Sequence, residues 1–474
     1  MPRSTSAVLT PDLCVIGGGA GGLAVAAGAA QMGAQVVLVE RGRMGGDCLN
    51  YGCVPSKSLL AAAHLASARR RGAAFGVVYD PPRIDFAAVA DSVARVVAGL
   101  APNDSVERFT RLGVRVIAAE ARFLDRRTVR AGDTLIRPRR FVIATGSMPV
   151  VPPIPGLDSV PFLTNETVFA NRALPEHLIV IGGGPVGIEL AQAHRRLGAA
   201  VTVIDAGPIL PRDDPELTAL LTAELAAEGI GLRPSAAIDR VERTGGGIAV
   251  ILAGDKHIAG SHLLVAAGRR PDLAALGLPA AGIAATAQGI VVDARLRTKN
   301  RHAYAIGDAA GGPQFTHVAL HHAGIVIRNA LFRLPARVDY RALPRVTYTD
   351  PELAQVGLGE TEARERGAVH VLRSSFADND RAHTERDTVG EVKIVTARNG
   401  RILGAAILGR SAGELILPWA LAISQRLKIG AMANLIVPYP TRGEAGKRAA
   451  GEFYTPLLFA PRTRRLVRLL ARFG

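Results

Sequence analysis

The sequence predicts an α/β fold with two Rossmann-like dinucleotide-binding domains and a C-terminal α+β domain. Three observations carry this. An apolar strand, a glycine-rich turn, an Ala-rich helix and a second strand ending in an acid occupy residues 12–40. The same series returns at residues 178–205, with Gly17 and Gly182 standing 165 positions apart. From about residue 346 the pattern changes to strand-like runs joined by short turns, among them 391–396 and 402–408 with Gly400 between them.

A chain of 474 residues exceeds a single core, and roughly 150 residues per domain gives about three domains. The hydrophobic fraction of 48% fills such cores, while no uninterrupted apolar run reaches the roughly 18 residues of a membrane span. Met1-Pro2-Arg3-Ser4-Thr5-Ser6 is short and polar, unlike a signal peptide, so a cytoplasmic location is expected. The net charge of +16 comes mostly from arginines spread along an Ala- and Gly-rich chain. With no nucleic-acid motif beside it, this reads as solvated charge and no nucleic-acid partner is expected.

In the first unit a strand at 12–15 runs into Gly17-Gly18-Gly19-Ala20-Gly21-Gly22, and the helix continues to about Met32. Glycines at 17, 19 and 22 allow a tight turn, let backbone approach a pyrophosphate, and let helix pack on strand. The second strand, 35–39, ends in Glu40, placed for a ribose hydroxyl. In the second unit the turn is Gly182-Gly183-Gly184-Pro185-Val186-Gly187, with Gly182, Gly184 and Gly187 in the three glycine roles. A helix follows through Leu197, then a strand at 201–204 and Asp205. Two dinucleotides are implied. Asp205 would accept ribose hydroxyls and repel a 2′-phosphate, and no arginine follows it directly, so a nicotinamide nucleotide bound there is expected to be NAD(H) over NADP(H).

Between the units lies Gly45-Gly46-Asp47-Cys48-Leu49-Asn50-Tyr51-Gly52-Cys53-Val54-Pro55-Ser56-Lys57. Three cysteines in so long a chain make no disulfide scaffold, and a close pair in a reducing compartment reads as catalytic. A C-x4-C pair could also ligate metal, but two further ligands at metal-like spacing are missing, so no metal is expected. Cys14, inside Leu13-Cys14-Val15-Ile16, reads as core.

The run from Gly45 to Lys57 resembles the active-site disulfide motif of the class I pyridine nucleotide-disulfide oxidoreductases, which include dihydrolipoamide dehydrogenase, glutathione reductase and mercuric reductase. The resemblance covers nearly the whole chain and implies FAD in the first unit, a nicotinamide nucleotide in the second and a homodimer. Ile143-Ala144-Thr145-Gly146-Ser147 and the matching Val265-Ala266-Ala267-Gly268-Arg269-Arg270-Pro271 resemble the family's crossover segments. The implied FAD domain is therefore discontinuous, 1–150 and 269–343, around an NAD(P) domain at 151–268, with an interface domain and basic tail at 344–474. Tyr304-Ala305-Ile306-Gly307-Asp308 resembles the second FAD motif, whose aspartate bonds the ribityl chain. Gly46, Lys57, Thr145, Gly146 and Gly268 complete the implied cofactor contacts. The helix after this motif carries His317, His321 and His322, read as helix-surface or cofactor-flanking groups.

By the same resemblance, NADH reduces the flavin, the flavin reduces a Cys48–Cys53 disulfide, and the dithiol reduces an acceptor. Cys53 would face the flavin as a thiolate and Cys48 would attack the substrate, with Lys57 paired to Glu189 near the flavin. The family's His-Pro-Thr-x-x-Glu segment, contributed by the other subunit, is here Tyr439-Pro440-Thr441-Arg442-Gly443-Glu444. Tyrosine titrates near 10 and serves poorly as a base near neutrality. A tyrosine at this place resembles mercuric reductase, yet no cysteine follows Cys53 to deliver a metal. A disulfide or a metal ion is the expected acceptor. The alternative is a membrane-surface electron-transfer flavoprotein or a diaphorase with a quinone or protein acceptor. Residues 455–474 form a basic amphipathic helix, expected to dock on the enzyme's own surface in preference to weak contact with a membrane.

Overall fold

The computed structural model describes residues 8–78 and 80–473. Two parallel sheets organise it. In the first, Leu13–Ile16 lies at the centre, with Val36–Glu40 and then Val114–Ala118 on one side and Arg140–Ile143 and then Ala303–Ala305 on the other. All four residues of the central strand are buried; covered on both faces, it needs an unbroken apolar run where a half-exposed strand would alternate. In the second, His177–Ile181 sits between Ala200–Ile204 and His262–Val265, with Ile230–Arg233 beyond. In both, the chain leaves the central strand to one side and returns on the other, which opens a crevice at the C-terminal strand ends. Observed elements fall within a residue or two of those expected: the first helix is Ala20–Gln31 and the second unit's helix is Pro185–Arg196.

The crossover segments meet. Ser147–Pro149 pairs antiparallel with Arg269–Pro271, so the chain leaves and re-enters the first unit along one two-stranded ribbon. After residue 343 a five-stranded antiparallel sheet forms in the order Pro344–Thr347, Glu352–Gly357, Ile402–Gly409, Glu391–Ala397, Val369–Ser375. Gly400, at φ 80°, makes the turn of its central hairpin.

The three regions share one packing cluster. Leu59 and Ala63 of helix Cys53–Gly72 meet Ile188 and Ala191 of helix Pro185–Arg196, together with Leu353 and Leu408 of the antiparallel sheet. Buried ion pairs fix the same junction. Arg196 reaches Glu228 at 2.5 Å and Asp350 at 2.9 Å. The Lys393 ammonium, almost fully buried, lies 2.8 Å from Asp214, 2.8 Å from Glu360 and 3.1 Å from Glu216.

The tail corrects an expectation. It forms helix Pro461–Leu470, but it does not dock on its own chain: Leu457, Leu458, Phe459, Leu466, Val467, Leu469, Leu470 and Phe473 are each at least 50% exposed. Charge supplies the reason. Arginines flank the apolar stripe, and pressing them against the chain would strip their water unless a carboxylate met each one.

Candidate active site

Cys48 and Cys53 are brought together by a break between two helices. Cys48 lies in the short helix Gly46–Asn50, and Cys53 opens the long helix Cys53–Gly72. Both are free thiols, and each shifts the other's titration in the opposite direction. The Cys48 thiol pulls the Cys53 thiol down to about 6, with help from the hydroxyl of Thr316, 3.4 Å away, and from the positive charge of Lys57. The helix N-terminus favours the same thiolate. Cys48 is raised by Cys53 and by burial. The pair is thus polarised, one sulfur anionic and one protonated. Cys14, by contrast, is fully buried in its strand and pushed up to about 12 by desolvation.

One turn into the long helix, Lys57 Nζ lies 2.8 Å from Glu189 Oε2. Glu189 is buried in helix Pro185–Arg196, and its other oxygen accepts the backbone N–H of Tyr348 at 2.9 Å. The Lys57 ammonium also stands 4.4 Å from the centroid of the Tyr348 ring. Tyr348 carries no sequence signal of its own; only the folded chain brings it here.

The two glycine turns repeat contact for contact. Gly17 and Gly182 have φ of 109° and 119°, and a Cβ on either would strike the carbonyl oxygen of Ala144 or Ala266. A Cβ on Gly22 would strike Gly17, and one on Gly187 would strike Gly182. Gly46, at φ 60°, closes against Gly19. The terminal acids are held alike. Glu40 accepts from the N–H groups of Gly18 and, at 2.6 Å, Gly42; Asp205 accepts from Gly183 at 2.6 Å and Gly207 at 2.7 Å. At Gly146, Gly184 and Gly268, open space lies where a side chain would stand.

Those cradles open into one cleft of about 1680 Å³, lined by Glu40 and Asp308 of the first unit, by Cys48 and Cys53, and by Glu189 and Asp205 of the second. It exceeds the roughly 300–1,000 Å³ of a usual small-ligand site, and it has room for two dinucleotides meeting end to end. The residues therefore fit FAD in the first unit and a nicotinamide nucleotide in the second. Among the described residues no group of three or more His, Cys, Asp or Glu is placed to hold a metal ion.

Asp308 lies in a short 3₁₀ turn after strand Ala303–Ala305 and is raised by burial. Ser147 donates to its carboxylate at 2.5 Å and accepts from Arg269 Nε at 2.8 Å. Arg269 in turn pairs with Asp47 at 3.1 Å, and Asp47 accepts from Asn165 at 3.0 Å. The ribbon joining the crossovers thereby connects Asp308 to the helix of Cys48. Thr145, beside it, reaches only the Asp272 carbonyl, at 3.5 Å. The sequence reading passed over Ser147 and Arg269 although each adjoins a chosen glycine.

His322 corrects the reading of the histidine trio. It is neither at the surface nor in the cleft wall: it is buried, its Nδ1 accepts from Gly307 N–H at 3.0 Å, and its Nε2 bonds the Tyr340 hydroxyl at 2.6 Å. Burial lowers it to about 4, so the neutral ring braces the turn of Asp308. His317 lines the cleft, stacked on Phe315, with Nε2 on the Pro344 carbonyl at 3.0 Å.

Tyr439 and Glu444 do not line this cleft within one chain. Tyr439 is exposed and donates to Asp380 at 2.8 Å, which raises its hydroxyl further. Glu444 accepts from the backbone N–H of Thr441 at 3.3 Å.

Known proteins share this arrangement. Residues 11–323 match the model of the family described as pyridine nucleotide-disulphide oxidoreductase, and residues 343–450 match that family's dimerisation domain. Mercuric reductase of Streptomyces lividans is 38% identical, covering 93% of this chain and 96% of that protein. Dihydrolipoyl dehydrogenase of Geobacillus stearothermophilus is 36% identical, covering 93% and 95%. The structure resembles LpdA of Mycobacterium tuberculosis, with a TM-score of 0.86 and 28% identity over 94% of this chain and 99% of that one. It also resembles the Cu(II) complex of the HOCl-induced flavoprotein disulfide reductase RclA of Escherichia coli, with a TM-score of 0.84 and 29% identity over 92% and 98%. Twin glycine cradles, a polarised cysteine pair between them and relatives matched nearly end to end place the chain in the pyridine nucleotide-disulphide oxidoreductase family.

Proposed function

We propose that this FAD-dependent NAD(P)H oxidoreductase, a homodimer through its dimerisation domain, draws its electrons from NADH and delivers them to a thiophilic metal ion in preference to a small disulfide. The arrangement that carries the reading is the cysteine pair: Cys48 in one short helix and Cys53 at the N-terminus of the next, 3.4 Å from the Thr316 hydroxyl and one turn from Lys57–Glu189. FAD bound in the first cradle supplies two-electron exchange between the reduced nicotinamide and the Cys48–Cys53 disulfide. For mercuric ion the net change is NADH to NAD⁺ and one proton, with the ion reduced by two electrons; for Cu(II) the same two electrons reduce two ions to Cu(I).

The chain's own residues then divide the work. Cys53 faces the flavin, Cys48 takes the acceptor, and the Lys57–Glu189 pair holds positive charge beside the reacting ring. Glu40 and Asp308 bind the ribose and ribityl hydroxyls of FAD, with Gly17, Gly19, Gly22, Gly46, Thr145 and Gly146 around its phosphates and ring. Asp205 binds the ribose of NADH, and Gly182, Gly184, Gly187 and Gly268 shape that site. We assign 1–150 and 269–343 to FAD, 151–268 to the nicotinamide nucleotide and 344–474 to the interface, in a cytoplasmic enzyme.

Tyr439 favours the metal acceptor. Its hydroxyl, raised by Asp380, is a poor partner for the proton exchange a disulfide substrate needs, whereas a thiolate-bound ion needs none. Among the relatives, the mercuric reductase name supports a metal acceptor, while the dihydrolipoyl dehydrogenase name supports a disulfide. A second reading, a membrane-surface flavoprotein or diaphorase passing electrons to a quinone or protein, is favoured by the exposed tail alone.

NADH oxidation by the FAD-loaded protein decides among these. Thiol-complexed mercuric ion or Cu(II) should be reduced and lipoamide should turn over poorly, with a gain in Tyr439→His; Cys53→Ser should abolish both. Fast lipoamide turnover with inert metal ions would overturn the acceptor. A larger kcat/KM for NADPH than for NADH would overturn the nucleotide.

A further inference from the structure

We infer that residues 455–473 hold the enzyme on an anionic lipid surface. This segment lies beyond residue 450, where the match to the dimerisation domain ends. Pro461 starts its helix at a position where a missing N–H costs nothing. At 100° per residue, Leu466, Val467, Leu469 and Leu470 gather on one side and Arg464, Arg465 and Arg468 on the other, while Arg462 in the first turn falls on the leucine side. Arg472 and Phe473 extend the two faces into the next turn, and Leu457, Leu458 and Phe459 lead into the apolar one. Those apolar side chains are 50–80% exposed, so none of the described residues covers the stripe.

The charge selects the occupant. No acidic side chain follows Glu452, and five arginines do. A second copy of the chain carries the same net charge of +16, and tail against tail across a two-fold axis would set arginine against arginine. An anionic bilayer offers hydrocarbon for the leucines and phosphate for the guanidinium groups at one boundary. Ten helical residues extend only about 15 Å, half the roughly 30 Å of a bilayer core, so the helix lies in the interface and does not cross it. The inference holds for any electron acceptor, because none of these residues lines the cleft.

The test is co-sedimentation of the full-length, FAD-loaded protein with phosphatidylglycerol vesicles and with phosphatidylcholine vesicles. The protein should pellet with the anionic vesicles and stay in solution with the neutral ones. Leu466→Glu/Leu470→Glu and Arg464→Glu/Arg468→Glu should each weaken binding by about tenfold or more, while NADH oxidation without vesicles stays unchanged. Absence of binding to anionic vesicles, or equal binding to both kinds, would overturn the inference. So would a fall in solution mass on altering the leucines without any vesicle binding, which would make a second copy the occupant.

Discussion

Lys57 and Glu189, 132 positions apart in sequence, form an ion pair of 2.8 Å across the junction of the two nucleotide units. The third member, Tyr348, comes from the C-terminal domain, donates its N–H to the buried carboxylate and lays its ring beside the ammonium. Glu189→Gln keeps the volume and removes the charge. Losing a charge-assisted bond worth about 1.5–3 kcal/mol should slow NADH-driven acceptor reduction by about 10–100-fold. The flavin potential should shift with it. Tyr348→Phe should leave both nearly unchanged, and Tyr348→Leu should move the potential in the same direction as Glu189→Gln.

Cys53, lowered to about 6 by the Cys48 thiol, should give the reduced protein a thiolate absorbance that is present at neutral pH and disappears as pH falls through about 6. Cys48→Ala removes that thiol, so the midpoint should move up; Cys53→Ser should remove the signal altogether. A midpoint unaffected by Cys48→Ala would contradict the polarised pair.

His322 is neutral in the fold and lowered from 6.5 to about 4. Between those values the unfolded chain binds more protons than the folded one, so stability falls as pH drops from 6.5 towards 4 and is flat above 6.5 as far as this group is concerned. Thermal unfolding followed across that window should show a shallower acid slope in His322→Gln than in the unaltered protein. Equal slopes would remove His322 as the cause.

Lys393 is the only cation within 4 Å of the buried Asp214 among the ion pairs of the described residues. Lys393→Met would leave that carboxylate buried and unpaired, at about 3–5 kcal/mol. The thermal midpoint should fall by about 10 °C, and Lys393→Met/Asp214→Asn should recover part of it. A midpoint unchanged in Lys393→Met would mean the cluster contributes no net stability.

Glycine turns were legible in the sequence because their constraint is local: a φ of 109° at Gly17 or 119° at Gly182 admits glycine and little else. Buried central strands were legible as unbroken apolar runs, and Cys48, Cys53 and Lys57 as one motif. What escaped is held together by partners far apart in sequence. Ser147 meets Asp308 across 161 positions and Arg269 meets Asp47, and no local pattern announces either contact. The i, i+4 spacing of His317 and His321 placed the trio on a helix but did not say that His322 points inward. Periodicity likewise made the tail amphipathic without revealing that no surface among the described residues receives it.

The ribbon of Ser147–Pro149 against Arg269–Pro271 gives the second nucleotide unit an entrance and an exit side by side. A segment inserted through adjacent ends behaves as a cassette, able to be exchanged without rethreading its host. Nicotinamide selectivity, which we propose resides in residues 151–268, should therefore transplant as that block. A graft that succeeds will also bring the block's outward-facing couplers, Arg196, Asp214 and Glu216, because they lock it to Asp350 and Lys393 of the third domain.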